Sequence, residues 1–156
     1  MNELRGKVRI GVIGGNRPKA EFAALAFEVG RAIGRGGAIL VCGGLGGVME
    51  EAARGAAEAG GLTIGILPGA RPSDANPHIH VPIATGLGTS RNALVAMNAD
   101  VLIAVDGEYG TLSEIAFGFI HGKKVIGLGT WDIKGVVAAA TAEEAVRLAL
   151  AAAGRS

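Results

Sequence analysis

Apolar and polar positions along the chain fall into two alternating patterns. Short runs of Val, Ile and Leu, apolar throughout, are each followed by glycines and then by a stretch with apolar residues at helical spacing. Val8–Ile13 predicts a first strand. The helix after it carries Phe22, Leu25, Ala26, Val29 and Ile33 on one face and stops at Gly34, Gly36 and Gly37. Ala38–Cys42 reads as the second strand, followed by Gly43-Gly44-Leu45-Gly46-Gly47 and a helix through about Ala59. Gly60-Gly61 ends that helix and Leu62–Leu67 is the third strand. Pro68 to Pro77 is a loop, and His80–Ile83 is either a further strand or an extended piece of loop. Ser90–Asn98 reads as a short helix capped by Thr89 or Ser90. Val101–Val105 is the fourth strong strand, Thr111–His121 a helix and Lys124–Leu128 the fifth strong strand. A small strand near Val136-Val137 and a helix over Ala142–Ala152 close the pattern.

Strands that are apolar throughout, each followed by a helix, imply a parallel sheet covered on both faces. The expected fold is α/β: a Rossmann-like three-layer sandwich with a mostly parallel sheet of about six or seven strands, a single domain over residues 1–156. If the strand order resembles 3-2-1-4-5, Val8–Ile13 and Val101–Val105 are neighbours at the switch point. Their following loops, Gly14–Pro18 and Asp106–Gly110, then meet at the carboxyl edge of the sheet, where such folds bind ligands.

Composition narrows the function classes. The 156 residues are enough to bury a core without a disulfide or metal, so no cofactor is required for folding. Fifteen Lys and Arg against 14 Asp and Glu give a net charge of +1, no electrostatic footprint for duplex nucleic acid. Aromatics are scarce (Trp131, Tyr109 and four Phe), which argues against a base-stacking platform. The single cysteine, Cys42, excludes an internal disulfide and reads as a small buried hydrophobe. There is no apolar stretch long enough for a membrane span and no signal-peptide pattern, so a cytoplasmic protein is expected.

The 27 glycines are more than twice the usual share of about 7%. They concentrate in three strand-to-helix turns: Gly14-Gly15, Gly43 to Gly47, and Gly107-Glu108-Tyr109-Gly110-Thr111. Such turns expose backbone N–H groups at an electropositive helix start and suit a phosphate. Known fingerprints fail. No Walker-type glycine-lysine loop is present, and Met49 stands where the last glycine of a G-x-G-x-x-G would fall.

Among polar residues, Thr111-x-x-Glu114 is either a capping box or a carboxylate at the mouth of the crevice. Arg91 at a helix start runs against the macrodipole, which suggests that it faces a ligand anion. Asn92 either caps locally or meets a ligand, and Arg17 either reaches a phosphate or is exposed. Asp106 and Glu108 are awkward beside an anion unless they point away or accept ligand hydroxyls or amines. His78-x-His80 lacks a third metal ligand and reads as a loop pair, so no metal site is expected.

Gly43-Gly44-x-Gly46-Gly47-Val48-Met49-Glu50, then Arg91-Asn92, then Asp106-Gly107-x-x-Gly110-Thr111-x-x-Glu114 resemble the Lonely Guy, or "possible lysine decarboxylase" (SLOG), superfamily over nearly the whole chain. The resemblance implies a Rossmann-like homo-oligomer, a homodimer or homotetramer. Helices rich in Ala and Gly also suit self-packing. Characterised members release a base from nucleoside 5′-monophosphates, cytokinin ribotides included, with a catalytic pair that maps onto Arg91 and Glu114. Asp106 stands in place of that motif's proline, Glu108 of its second glycine and Asn92 of its lysine. The Arg-Asn pair looks more like the branch holding the molybdenum cofactor carrier proteins.

Two functions follow. One is a carrier binding a molybdenum cofactor, a mononucleotide or a similar small phosphorylated ligand through Gly14, Gly15, Arg17, Gly43, Gly44, Gly46, Gly47, Asn92, Gly107, Glu108, Tyr109, Gly110 and Thr111. The other is a phosphoribohydrolase using Arg91 and Glu114, with a nucleotide sensor as a third class. The retained Arg91 and Glu114 favour the hydrolase, whereas Glu108 and the missing lysine favour the carrier or sensor. Neither involves nucleic acid or a membrane.

Overall fold

The computed structural model describes residues 2–154. Seven strands and five helices alternate: β1 (Arg9–Gly14), α1 (Ala20–Arg35), β2 (Ile39–Cys42), α2 (Val48–Glu58), β3 (Thr63–Leu67), β4 (Val81–Ala84), α3 (Asn92–Asn98), β5 (Val101–Val105), α4 (Tyr109–Ile120), β6 (Lys124–Leu128), β7 (Val136–Ala138) and α5 (Ala142–Ala152). All seven strands form one sheet in the order β4-β3-β2-β1-β5-β6-β7, and every pairing is parallel. The chain runs outward from β1 to β4, then returns to place β5 against the other side of β1. That is the switch point the sequence predicts. The ambiguous segment at residues 80–83 joins the sheet as an edge strand. Its Pro82 is tolerated there because an edge need not donate on both sides.

The central strands are buried on both faces, which is why they read as unbroken apolar runs. Along β5, Val101, Ile103 and Val105 point into the layer of α1, α2 and α5, while Leu102 and Ala104 point into that of α3 and α4. Cys42 is fully buried among them, as expected. No helix among the described residues is long and apolar enough to cross a membrane.

Helices α1 and α2 pack backbone to backbone. A Cβ at Gly30 would lie 1.9 Å from the Ala52 carbonyl oxygen, and one at Gly55 would lie 2.1 Å from that of Phe27. Gly30 and Gly55 thus serve a contact inside the chain, between two of its own helices. Gly55→Ala is expected to force these helices apart and cost about 1–3 kcal/mol. A thermal melt would read this as a fall of roughly 3–10 °C. An unchanged melt would mean that the helices separate freely.

Candidate functional site

A crevice of about 260 Å³ opens at the carboxyl ends of β1, β2, β3 and β5. Its first wall is the turn after β1, Gly14-Gly15-Asn16. The Gly15 carbonyl accepts the Val48 N–H at 3.0 Å, which ties this turn to the start of α2. Gly47 makes the tie possible. Its φ is +70°, and a Cβ there would fall 2.3 Å from the Gly15 oxygen.

The opposite wall is the turn after β5. Asp106 takes φ +49° and Gly107 φ +115°, and the backbone then enters α4. The Asp106 amide donates to the Leu128 carbonyl, and its own carbonyl accepts the Thr130 hydroxyl at 2.7 Å. A Cβ at Gly15 would lie 3.9 Å from the Gly107 Cα, so the two turns face each other as the strand order requires.

Helix α4 begins at Tyr109, two residues before the sequence pattern suggests. Glu108 is its N-cap residue and makes no side-chain cap bond. Thr111 is therefore the third helical residue, and Thr111 with Glu114 is not a capping box. The first intrahelical bond runs from the Leu112 amide to the Glu108 carbonyl. The amides of Tyr109, Gly110 and Thr111 precede it and have no partner within the helix. Gly110 and Thr111 line the crevice.

Arg91 comes from a 3-10 turn, Gly88–Arg91, that runs straight into α3. Neither Thr89 nor Ser90 caps this helix; the tight turn at Gly88, with φ +60°, does the work of entry instead. The Arg91 side chain is 8% exposed. Its Nε donates to the Ile66 carbonyl at 2.8 Å and its Nη2 to the Gly43 carbonyl at 3.3 Å, at the ends of β3 and β2. Its Nη1 donates to the Asn92 Oδ1. The Asn92 amide donates to the Ser113 hydroxyl, which donates to the Gly110 carbonyl. This chain of bonds joins the arginine to the first turn of α4.

Glu114 lies one turn deeper in α4 and is 7% exposed, with its side chain facing the crevice. Among the described residues no group donates a hydrogen bond to its carboxyl. Burial pushes that carboxyl up to about 8, against the pull of the nearby Arg91 charge. Burial also lowers the Arg91 guanidinium from its ordinary value, opposed by Glu114 and Cys42. An arginine remains charged even so. At neutral pH the crevice therefore holds a guanidinium beside a mostly neutral carboxyl and can accept an anion. The Cys42 thiol behind it is pushed up to about 12 by burial and is inert as a nucleophile.

Gly14, Gly15, Arg91, Asn92, Glu108, Gly110, Thr111 and Glu114 thus converge on one crevice. Gly43, Gly44, Gly46, Gly47, Gly107 and Tyr109 do not line it, and Arg17 is exposed outside it. The glycines after β2 serve it indirectly. A Cβ at Gly43 would sit 2.7 Å from the Arg91 Nη2, so this glycine makes room for the guanidinium. Asn16, Leu45, Met49, Pro68 and Thr89 line the crevice without having been singled out as ligand contacts. Met49, which breaks the dinucleotide fingerprint, is a wall of the site. The buried Asn76 holds the loop after β2 from below, bonding the carbonyls of Gly44 and Leu45. The His80 ring accepts the Thr63 amide and helps join β4 to β3. No group of three or more metal-ligating side chains occurs among the described residues.

An uncharacterized protein of Archaeoglobus fulgidus is 43% identical over 141 residues, 89% of this chain and 92% of its own length. The molybdenum cofactor binding protein of the phototrophic bacterium Rippkaea orientalis is 34% identical, with a TM-score of 0.87 over 92% of this chain and 96% of that one. The Moco carrier protein of Chlamydomonas reinhardtii is 35% identical, with a TM-score of 0.86 over 95% of this chain and 98% of that one. The profile of the SLOG cluster4 family matches residues 7–153, and the chain belongs to that family.

Proposed function

We propose that this protein is a carrier of the molybdenum-cofactor type, holding a phosphorylated pterin in the crevice between β1 and β5. The carrying observation is the pairing of the free amides at the start of α4 with Arg91 beside a carboxyl kept neutral by burial. A phosphate would accept from the Gly110 and Thr111 amides and face the Arg91 charge, without repulsion from Glu114. Similarity over nearly the full length to two proteins named for this cofactor supports the choice of ligand. Arg91 already spends three donors on the protein, so its charge is fixed in place before any ligand arrives. The experiment is transfer. Molybdenum cofactor freed anaerobically from a donor enzyme is mixed with the protein and passed over a sizing column. Pterin fluorescence and molybdenum eluting with the protein are expected; their absence overturns the carrier.

One observation favours a second reading. A carboxyl that is still protonated near neutrality, close to an arginine in one crevice, suits a general acid. In a phosphoribohydrolase, Glu114 would give its proton to the departing base nitrogen as the N-glycosidic bond breaks. Water would add to C1′ and return a proton to Glu114. Release of free base from purine or cytokinin nucleoside 5′-monophosphates, lost in Glu114→Gln by about 10²–10⁴-fold, would establish this activity. No release at high protein concentration would exclude it.

A further inference from the structure

Three ionisable side chains line the crevice, and the protein settles two of them. Arg91 donates to Ile66, Gly43 and Asn92, and burial keeps the Glu114 carboxyl mostly neutral. The third, Glu108, is exposed, and its carboxylate takes part in no hydrogen bond or ion pair among the described residues. Its backbone is held instead. The Glu108 carbonyl accepts the Leu112 amide at 3.0 Å and the Trp131 indole N–H at 3.1 Å. A fixed stretch of main chain thus carries an unpaired charge on the crevice wall.

The residue type matters at this position. Ser, Thr, Asp or Asn at a helix N-cap reaches back to the amide of the second or third helical residue. Here those amides belong to Gly110 and Thr111, both on the crevice wall. Glu108 makes no such bond and leaves them free. Its carboxylate therefore serves no cap, and it repels a phosphate held on those amides. For a bare phosphate ester that charge is only a cost. It becomes useful when the same ligand brings hydrogen-bond donors to it.

We infer that Glu108 selects the ring of the ligand. Its carboxylate accepts from an N–H beside an NH2, the edge of a 2-amino-4-oxopyrimidine, while the phosphate of the same ligand sits on the Gly110 and Thr111 amides. The inference rests on the anion-binding role proposed above. Two carboxylate oxygens match two parallel N–H donors, and the bonds are charge-assisted. A ring edge that lacks the amine leaves one oxygen unpaired, and an edge of acceptors repels both. Guanine and pterin rings carry the matching edge, whereas adenine does not.

The test is calorimetric titration with three probes. They are guanosine 5′-monophosphate, inosine 5′-monophosphate, which lacks the 2-amino group, and ribose 5-phosphate, which lacks the ring. Wild-type protein is expected to bind the guanosine probe about 5- to 150-fold more tightly than the inosine one, the range of one good bidentate pair. Glu108→Gln is expected to abolish that preference and to bind ribose 5-phosphate roughly threefold more tightly, because a like charge near the phosphate is gone. A side chain that only shaped the turn would shift all three probes together. Glu108→Gly, at a position where glycine caps acceptably, is expected to match Glu108→Gln. Equal binding of the guanosine and inosine probes by wild type, or a preference that survives in either variant, overturns the role of Glu108 alone. Failure of ribose 5-phosphate to bind wild type overturns the anion crevice, and the ring selection with it.

Discussion

Arg91→Met is expected to melt about 8–15 °C below the parent and to bind small phosphate esters about 100-fold more weakly. The stability loss follows from the bonds removed. The guanidinium serves the carbonyls of Ile66 and Gly43 and the side chain of Asn92, all in a buried setting. A methionine fills much of the volume but leaves those acceptors without a donor, a cost of about 3–5 kcal/mol. For a chain of this size that corresponds to the stated fall in Tm. The affinity loss reflects a charge-assisted contact of about 1.5–3 kcal/mol, made worse because the α4 turn loses its tether through Asn92 and Ser113. Calorimetry at neutral pH on the folded variant reads it. Binding within about threefold of the parent would remove Arg91 from the anion site.

Glu114→Gln is expected to melt about 10 °C above the parent near pH 8.5 and almost with it near pH 5. In the unfolded chain this carboxyl titrates near its ordinary value, roughly 4.3. Burial holds it up to about 8 in the folded chain. Between those values the folded state binds more protons than the unfolded one, so stability falls as pH rises. The contribution of the neutral carboxyl is complete below roughly pH 4 and is lost as pH climbs through the folded value, on the order of 5 kcal/mol in all. Glutamine does not titrate, so the variant escapes the loss. Anion affinity is expected to follow the same window, dropping in the parent above about pH 8 as Glu114 ionises beside the ligand. It should stay level in the variant. Melting curves that run parallel at every pH would show that Glu114 is ionised throughout.

The five strong strands and the β1–β5 junction were legible because both derive from burial, which writes itself into apolar runs. Arg91 was legible for another reason, as a cation at a helix start that breaks a local preference, and Glu114 from its spacing after Thr111, which left a cap and a carboxylate at the mouth of the crevice as alternatives. The glycines were harder. A glycine that meets a ligand and a glycine that makes room for a guanidinium look alike in sequence, and only the 2.7 Å approach of the Arg91 Nη2 to the Cβ position at Gly43 separates them. The Thr-x-x-Glu spacing suggested a cap because the turn before α4 was placed two residues too late. Asp106 takes φ +49° in the turn before α4, a conformation closed to the proline of the related motif, whose ring fixes φ near −65°. Thr89, Pro68 and Leu45 reach the crevice from loops whose course depends on long-range pairing, which no local pattern records.

The position of β1 sets a timetable for synthesis. Ile10 pairs with Leu40 on one side and with Val101 on the other. During synthesis β1 can therefore find its early neighbour β2 soon, but it presents a bare edge until β5 has been made. The crevice has no α4 wall until residues 109–120 emerge. A nascent chain passes through a long interval with an apolar, unpaired central strand, the kind of surface that chaperones recognise and that invites aggregation. Stalled or truncated products ending before β5 would carry three of the strands that frame the crevice, yet lack its α4 wall.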